Sequence, residues 1–388
     1  MRKPRTLAVT SILFLALVAV GAYAPPRRIA LTPPMGWNSW NHFACNVSEA
    51  LIRETADAMV TSGMRDAGYK YVVIDDCWQV SRDPSGTIVA DPQRFPHGMK
   101  ALADYVHSKG LKFGIYTDAG TKTCQGRPGT LGYEERDAQT YARWGVDYVK
   151  EDWCNADGLN APTQYKKFRQ ALDRTGRPIV LSICEWGLNQ PWDWAPAVGN
   201  LWRTTDDIGD NWASMLSNLD QSAQHSTVAR PGAWNDPDML EIGNGGMSAD
   251  EYRAHMSLWA MQAAPLIAGN DLRTMSEETK SILTNPEVIA VDQDSLGAQG
   301  TLVESGPPDR QVWAKPLRDG SRAVVLLNRA VSPDSISVSF RRAGLRSDSA
   351  MVRDLWRHSD LGRYRRSYTT VVPAHAAVML RITSVSSR

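Results

Sequence analysis

Four things that this sequence lacks or has little of narrow it before any motif is read. Charge of one sign is missing: 43 lysines and arginines stand against 42 aspartates and glutamates, a formal net charge of +1 scattered along the chain. Phosphate backbones attract a concentrated basic footprint, so no nucleic-acid partner is expected and a neutral substrate fits better. Histidine is scarce, at 7 residues, and none joins a carboxylate cluster at the short spacing of a metal site. No metal and no cofactor is expected. Beyond the N-terminus, no second segment resembles a membrane span. Cysteine is sparse too, and an odd count of 5 leaves at least one unpaired within a single chain.

The first residues are of another kind. Met1-Arg2-Lys3-Pro4-Arg5 is positively charged, Thr6 to Val20 is apolar, and Gly21-Ala22-Tyr23-Ala24 offers small residues for cleavage. This predicts a secretory signal peptide over 1–24, cut after Ala24 or Ala22. Export to an extracellular or periplasmic space follows, with no stable membrane insertion after cleavage. An uncleaved anchor is the alternative, although the run is shorter than the roughly 20 residues of a spanning helix. Cysteines in an exported chain suggest disulfides. Cys77 and Cys154 each follow a strand-end acidic residue, while Cys45 and Cys124 fall in loops after two other expected strands. Pairing Cys45 with Cys77 and Cys124 with Cys154 would staple neighbouring loops around one rim. The alternative is unpaired buried thiols, the state expected for Cys184.

Short apolar, β-branched runs separated by amphipathic stretches give eight candidate strands. They are Met35 to Trp40, Tyr69 to Asp75, Lys112 to Asp118, Asp147 to Asp152, Pro178 to Glu185, Asn200 to Asp207, Val228 to Asp236 and Ala264 to Asn270. Helical spacing fills the gaps, for example over Ser48 to Ser62, Met99 to Lys109, Glu134 to Trp144 and Asn211 to Ala223. That rhythm over about 250 residues predicts an α/β protein, a (β/α)₈ barrel spanning 25–297. A doubly wound open sheet is the runner-up, but no Gly-rich phosphate turn follows the first strand. From about Gln311 the texture changes to short alternating strands and tight turns, predicting a small antiparallel β-sandwich over 298–388 with a packing role.

The eight strands share polar chemistry at their C-terminal ends: Trp37 with Trp40, Asp75 with Asp76, Tyr116 with Asp118, Lys150 with Asp152, Glu185 with Trp186, Arg203 with Asp207, Asp236 with Asp238, and Asn270 with Asp271. Barrel strands present their last side chains to one mouth. A single polar strand end has a plain explanation as a helix cap; eight together do not. Aromatic faces stack on the C–H patches of a sugar, and Asp, Lys and Arg bond its hydroxyls. Two carboxylates at the ends of distant strands, Asp152 and Asp207, suit cleavage of a glycosidic bond by double displacement.

Five ordered motifs then match a family. Pro34-Met35-Gly36-Trp37-Asn38-Ser39-Trp40, Ile74-Asp75-Asp76-Cys77-Trp78, Gly114-Ile115-Tyr116-Thr117-Asp118, Cys184-Glu185-Trp186-Gly187 and Trp234-Asn235-Asp236-Pro237-Asp238-Met239-Leu240 resemble glycoside hydrolase family 27, the α-galactosidases and α-N-acetylgalactosaminidases. The resemblance runs from about Arg28 to Gly297 and into the β-domain. It implies a retaining exo-glycosidase acting on an α-galactoside, with Asp152 as nucleophile and Asp207 as acid/base. It further implies that Asp75 and Asp76 hold the 4- and 6-hydroxyls, with Trp40 against the apolar ring face. Lys150 would contact the 3- and 4-hydroxyls, Asp238 and Arg203 the 2- and 3-hydroxyl side, and Tyr116 would line the nucleophile. In the loop after the fifth strand, Glu185, Trp186 and Leu188 replace the small residues that would admit an acetamide, which favours galactose.

The mechanism asks Asp207 to hold its proton, its pKa raised by a nearby charged Asp152. Glu151 and Asp206 depart from the family's usual residues; strand alternation points each away from its catalytic neighbour unless a bulge reverses it. Rival readings are a β-L-arabinopyranosidase or α-N-acetylgalactosaminidase of the same family, a metal-assisted hydrolase using Asp236-Pro237-Asp238, and a sugar-binding protein on a hydrolase scaffold. The oligomeric state is not legible.

Overall fold

The computed structural model describes residues 29–307 and 309–385. The expected signal segment lies outside them. Eight parallel strands, β1 (Met35–Asn38), β2 (Tyr71–Ile74), β3 (Lys112–Asp118), β4 (Tyr148–Asp152), β5 (Val180–Ile183), β6 (Leu201–Arg203), β7 (Trp234–Asp236) and β8 (Leu266–Ala268), form one sheet in the order β8-β1-β2-β3-β4-β5-β6-β7. The barrel closes through Leu240, whose N–H bonds the Ile267 carbonyl at 2.8 Å while its own carbonyl accepts from Gly269. Among the described residues, no helix is long and apolar enough to cross a membrane.

Alternation along the strands makes the two layers. Outward side chains such as Ile74, Phe113, Ile115, Val149, Leu181, Ile183 and Trp202 meet the surrounding helices in the main core. The opposite parity, with Tyr71, Val73, Tyr148, Val180, Leu201 and Trp234, plugs the barrel interior. Continuing that parity along β4 turns Lys150 and Asp152 inward and Glu151 outward.

The helices longer than one turn are α1 (Glu49–Thr61), α2 (Gly98–Ser108), α3 (Glu134–Trp144), α4 (Ala161–Arg174), α5 (Trp212–Ala223), α6 (Ala249–Gln262), α7 (Glu277–Leu283) and α8 (Pro286–Asp292). Several start where a polar side chain satisfies an orphan N–H. Ser48, Asn160 and Asn211 cap α1, α4 and α5, and Ser248 with Glu251 forms a reciprocal capping box on α6.

The C-terminal part is antiparallel. Strands β9 (Thr301–Gly306), β10 (Arg310–Pro316), β11 (Arg322–Asn328), β13 (Ser349–Asp354), β14 (Ser359–Arg365) and β16 (Ala376–Ser384) form one sheet, and β12 (Asp334–Ser339) pairs with β15 (Ser367–Val372). Val324, Leu326, Ile336, Val338 and Leu380 fill the space between the two sheets. The other face, with Trp313, Val325, Leu327 and Met379, merges into the barrel core against α6.

All the barrel strands except β3 are shorter than the sequence pattern suggested, β6 and β7 by the most. β7 contains only Trp234–Asp236, because Arg230 and Ala233 bond each other in a tight turn. β6 stops at Arg203, so Asp207 lies in the following loop rather than at a strand end.

Candidate active site

Inward parity along the strands, together with the segments that follow them, brings these side chains to one cavity of about 300 Å³, lined by Trp40, Asp75, Asp76, Tyr116, Lys150, Asp152, Trp186, Arg203, Asp207 and Asp238. Asn41, Gln125, Ile208 and Met239 complete the wall, with the cysteines of one disulfide. Cys45 is bonded to Cys77 and Cys124 to Cys154, while Cys184 is free and buried. The second bridge ties the loop after β3 to the loop after β4 at the rim.

On one side, Asp75 is a hub. Its Oδ2 accepts from Lys150 Nζ at 3.0 Å and from Asn38 Nδ2 at 2.7 Å, and its backbone N–H donates to Ser39 Oγ. Asp76 accepts the N–H groups of Cys77 and Gln125, at 2.6 and 3.0 Å, which places the disulfide loop over the cavity. Burial pushes the Asp76 carboxyl up, and those two N–H bonds pull against it. Asn38 and Gln125 were not singled out from the sequence. Asn38 stands inside the first family motif, whereas Gln125 had no signal beyond its place beside Cys124.

On the other side, Arg203 is the hub. Nη2 lies 3.0 Å from Asp207 Oδ1 and 3.0 Å from Asp238 Oδ2, and also donates to the Thr205 carbonyl. Asp238, at a positive φ of 86°, accepts the Ile208 N–H at 2.9 Å and so fixes the loop that carries Asp207. Between the hubs, Asp152 Oδ2 accepts from the Tyr116 hydroxyl at 2.9 Å and Oδ1 from the Trp153 N–H at 3.0 Å. Asp152 is 5% exposed, but the Asp207 side chain is 71% exposed.

Residues 32–294 match the family described as "Alpha galactosidase A", and residues 308–382 match "Alpha galactosidase C-terminal beta sandwich domain". The chain belongs to the alpha-galactosidase family. It is 52% identical to a probable alpha-galactosidase of Dictyostelium discoideum, over 97% of this chain and 98% of that one. It is also 52% identical to alpha-galactosidase 2 of Arabidopsis thaliana, over 92% and 90% of the two chains. The crystal structure of alpha-galactosidase I from Mortierella vinacea superimposes with a TM-score of 0.89 at 40% identity, covering 91% of this chain and 97% of the other.

In this member of the alpha-galactosidase family, Glu185 does not line the cavity, contrary to its expected place among the sugar contacts. It is fully buried, and its Oε2 accepts the backbone N–H and side-chain amide of Asn189, at 2.6 and 2.8 Å. It thereby folds the turn that presents Trp186. Trp186 itself adopts a positive φ of 54°, uncommon for a bulky residue. Glu151 is outside the cavity, its Oε1 accepting from the Thr130 hydroxyl at 3.1 Å. Asp206 is exposed, and its carbonyl accepts from Asn218. Neither competes with its neighbour for the cavity.

The ionisation order differs from the expected one. Burial raises the Asp152 carboxyl to about 6, with the Asp75 charge adding to it and Lys150 and the Tyr116 hydroxyl opposing. Burial also acts to raise Asp207, but the Arg203 and Lys150 charges outweigh it and hold this carboxyl below its ordinary value. The expectation of a raised Asp207 assumed that Asp152 was its dominant neighbour. Arg203, at bonding distance, takes that place.

Proposed function

We propose that this chain is an exo-acting, retaining α-galactosidase that releases terminal α-D-galactosyl residues by double displacement. Asp152 serves as nucleophile and Asp207 as general acid, then general base. The observation that carries this reading is the opening of both carboxylates into one cavity whose remaining wall suits hydroxyl groups. A retaining enzyme needs two carboxyls about 5 to 5.5 Å apart on opposite sides of the scissile bond.

The buried Asp152 attacks the anomeric carbon, and the Tyr116 bond at Oδ2 aims it. Asp207, at the exposed end of the cavity, faces the departing oxygen and protonates it. Asp207 then takes a proton from the water that opens the glycosyl–enzyme ester, so configuration is retained. Asp75 and Asp76 hold the axial 4-hydroxyl and the 6-hydroxyl, and Trp40 covers the apolar ring face. Lys150 reaches the 3- and 4-hydroxyls, and Arg203 with Asp238 the 2- and 3-hydroxyl side. Trp186 at the wall leaves a 2-hydroxyl rather than an acetamide as the fitting substituent, and Asp76 favours galactose over arabinopyranose, which has no 6-hydroxymethyl group. The substrates are α-galactoside oligosaccharides, polysaccharide side chains or glycoconjugates. The chain carries a signal peptide over 1–24, a catalytic barrel over 25–297 and a β-domain over 298–388, and acts outside the cytoplasm.

Azide tests the two roles separately. In Asp152→Gly, azide takes the nucleophile's place and dinitrophenyl α-galactoside should give β-galactosyl azide. In Asp207→Gly, azide replaces the activated water of the second step and the product should be α-galactosyl azide. The same stereochemistry from both variants sinks the assignment. In the intact enzyme, nitrophenyl α-galactoside should be cleaved faster than nitrophenyl β-L-arabinopyranoside, and binding without turnover would favour a sugar-binding protein.

A further inference from the structure

Helix α5 follows directly on the loop that carries Asp207, and the β-sandwich grips it at both ends. At its first residue, Trp212, the His375 ring stacks with centroids 5.0 Å apart and planes 17° from parallel. His375 Nδ1 also lies 2.9 Å from Glu251 Oε1, in the capping box of α6. In the last turn, Asp220 receives both terminal nitrogens of Arg329, at 3.1 and 2.7 Å. Bidentate pairs of this kind fix orientation as well as distance.

Both gripping residues come from one corner of the sandwich. The His375 N–H bonds the carbonyl of Ala330, next to Arg329. The buried Asn328 amide bonds the carbonyls of Ser332, Val372 and Pro373, joining the turn after β11 to the approach to β16. The corner is therefore rigid where it meets α5.

The loop between β6 and α5 is tied at several points, and the Asp207 carboxylate is held by Arg203 from its own strand and by the Trp186 side chain, neither of which is in α5, α6 or the sandwich. Gly209 N–H donates to Ser214 Oγ on α5 at 2.8 Å, and Asp210 accepts from the Tyr252 hydroxyl on α6 at 3.0 Å and from the Gly246 N–H. A side chain on Gly246 would strike the Asp210 carbonyl at 2.0 Å, so the glycine loop and the Asp207 loop are packed backbone to backbone. Asp238 anchors the start of this loop from the barrel, and its far end follows α5 and α6, so where Asp207 stands over the cavity depends also on those two helices, both of which the sandwich touches.

We propose that the C-terminal β-sandwich positions the acid/base, with His375 and Arg329 acting through α5 to set the reach of Asp207. The inference rests on the reading of Asp207 as the proton donor. Loosening the grip then slows only those reactions in which the leaving oxygen must be protonated. A displacement on the order of 1 Å at a reacting group costs up to about 100-fold in rate.

The test compares kcat/KM, which reports the glycosylation step, for methyl α-galactoside and 2,4-dinitrophenyl α-galactoside. The variants are His375→Ala, Arg329→Ala, their combination, the stack-preserving His375→Phe, and Asp207→Ala as reference. The combined variant should lose about tenfold or more on the methyl glycoside and less than about twofold on the dinitrophenyl one, with His375→Phe close to wild type. If it does not fold, Arg329→Ala carries the same comparison, because its partner Asp220 is half exposed and is not left buried. Equal losses on both substrates, or none on either, overturn the positioning role. If Asp207→Ala itself loses both substrates equally, the proton-donor reading fails instead, so the two failures are distinguishable.

Discussion

Arg203 bonds Asp207 across 3.0 Å from four residues back along the chain, and this contact sets which of the two candidate carboxyls keeps a proton. With Asp152 raised to about 6 and Asp207 lowered, a singly protonated pair carries its proton mainly on Asp152. Double displacement needs the reverse tautomer, a charged Asp152 and a protonated Asp207. The productive form is then a minor species of the free enzyme, and the apparent pKa values belong to the pair.

That order predicts an acidic bell. The profile of kcat/KM should fall as pH rises through about 6, where the pair loses its last proton, and its acid limb should lie below the ordinary aspartate range. In Asp207→Asn with dinitrophenyl α-galactoside, no proton donor is needed. The profile through the same region should then rise with pH, because only ionisation of Asp152 matters. An alkaline limb near pH 8 in the wild type, or a falling profile in the variant, contradicts the order.

Glu151 supplies a second prediction. It is buried on the helix side of β4, burial pushes its carboxyl well above the ordinary range, and its Oε2 has no bonding partner among the described residues. Burial favours its neutral, protonated form, which glutamine imitates in shape and charge. Glu151→Gln should keep kcat within about twofold and stability within about 1 kcal/mol. A large loss of kcat on the α-galactoside with unchanged stability would place Glu151 in the chemistry and undo the alternation argument.

The barrel was legible because its strands carry two signals at once, a buried run and a polar end. Val149, Lys150, Glu151 and Asp152 even gave their facing correctly, since parity along a strand without a bulge is rigid. Legibility failed where the chain leaves the ladder. Asp207 stands in a loop set by Asp238 and Asp210, contacts that come from distant β7 and α6 and leave no local pattern. Glu185 stood in a family motif, yet its partner four residues on draws it into a turn. In the sandwich, β14 is an edge strand whose Arg363 and Arg365 face solvent, so its hydrophobic alternation is faint.

Stability should fall as pH rises from about 5 to 8. Burial raises Asp118 to about 8, Glu185 and Glu241 to about 7, and Asp236 to about 6. Each holds its proton to higher pH in the folded chain than in the unfolded one, where the value is about 4. The folded state therefore binds more protons across this window, and the stability they contribute is present below about pH 4 and is lost as pH climbs through the folded values. Glu49, Asp57 and Glu287, whose carboxyls are lowered, act in the opposite sense and lose their contribution as acid is added. A thermal midpoint measured across pH 4 to 9 should peak on the acid side of neutrality. A midpoint that climbs steadily from pH 5 to 8 would mean that these buried carboxyls are ionised in the folded chain.

The Cys124–Cys154 bridge should matter for binding as well as for stability. It closes a loop over a sequence separation of 30, for which chain entropy gives about 3.5 kcal/mol. Its two residues also line the cavity, and Gln125, next to Cys124, donates its N–H to Asp76. Replacing both cysteines by alanine frees that loop from the nucleophile's strand, loosens the Gln125 bond to Asp76 and removes the sulfur that lies against Asp152 and the Tyr116 hydroxyl. The expected outcome in urea unfolding is a loss of about 2 to 4 kcal/mol. In kinetics, KM for nitrophenyl α-galactoside should rise and kcat should fall with it, because the bridge steadies Asp76 through Gln125 while Cys124 Sγ also lies 3.5 Å from Asp152 Oδ2 and 3.4 Å from the Tyr116 hydroxyl. The Cys45–Cys77 bridge ties α1's approach to the other side of Asp76, at a sequence separation of 32, and its removal should give a similar loss of stability. A fall in kcat with KM unchanged in the Cys124 and Cys154 variant would leave only the contact to Asp152 in play and remove Asp76 from the account of binding.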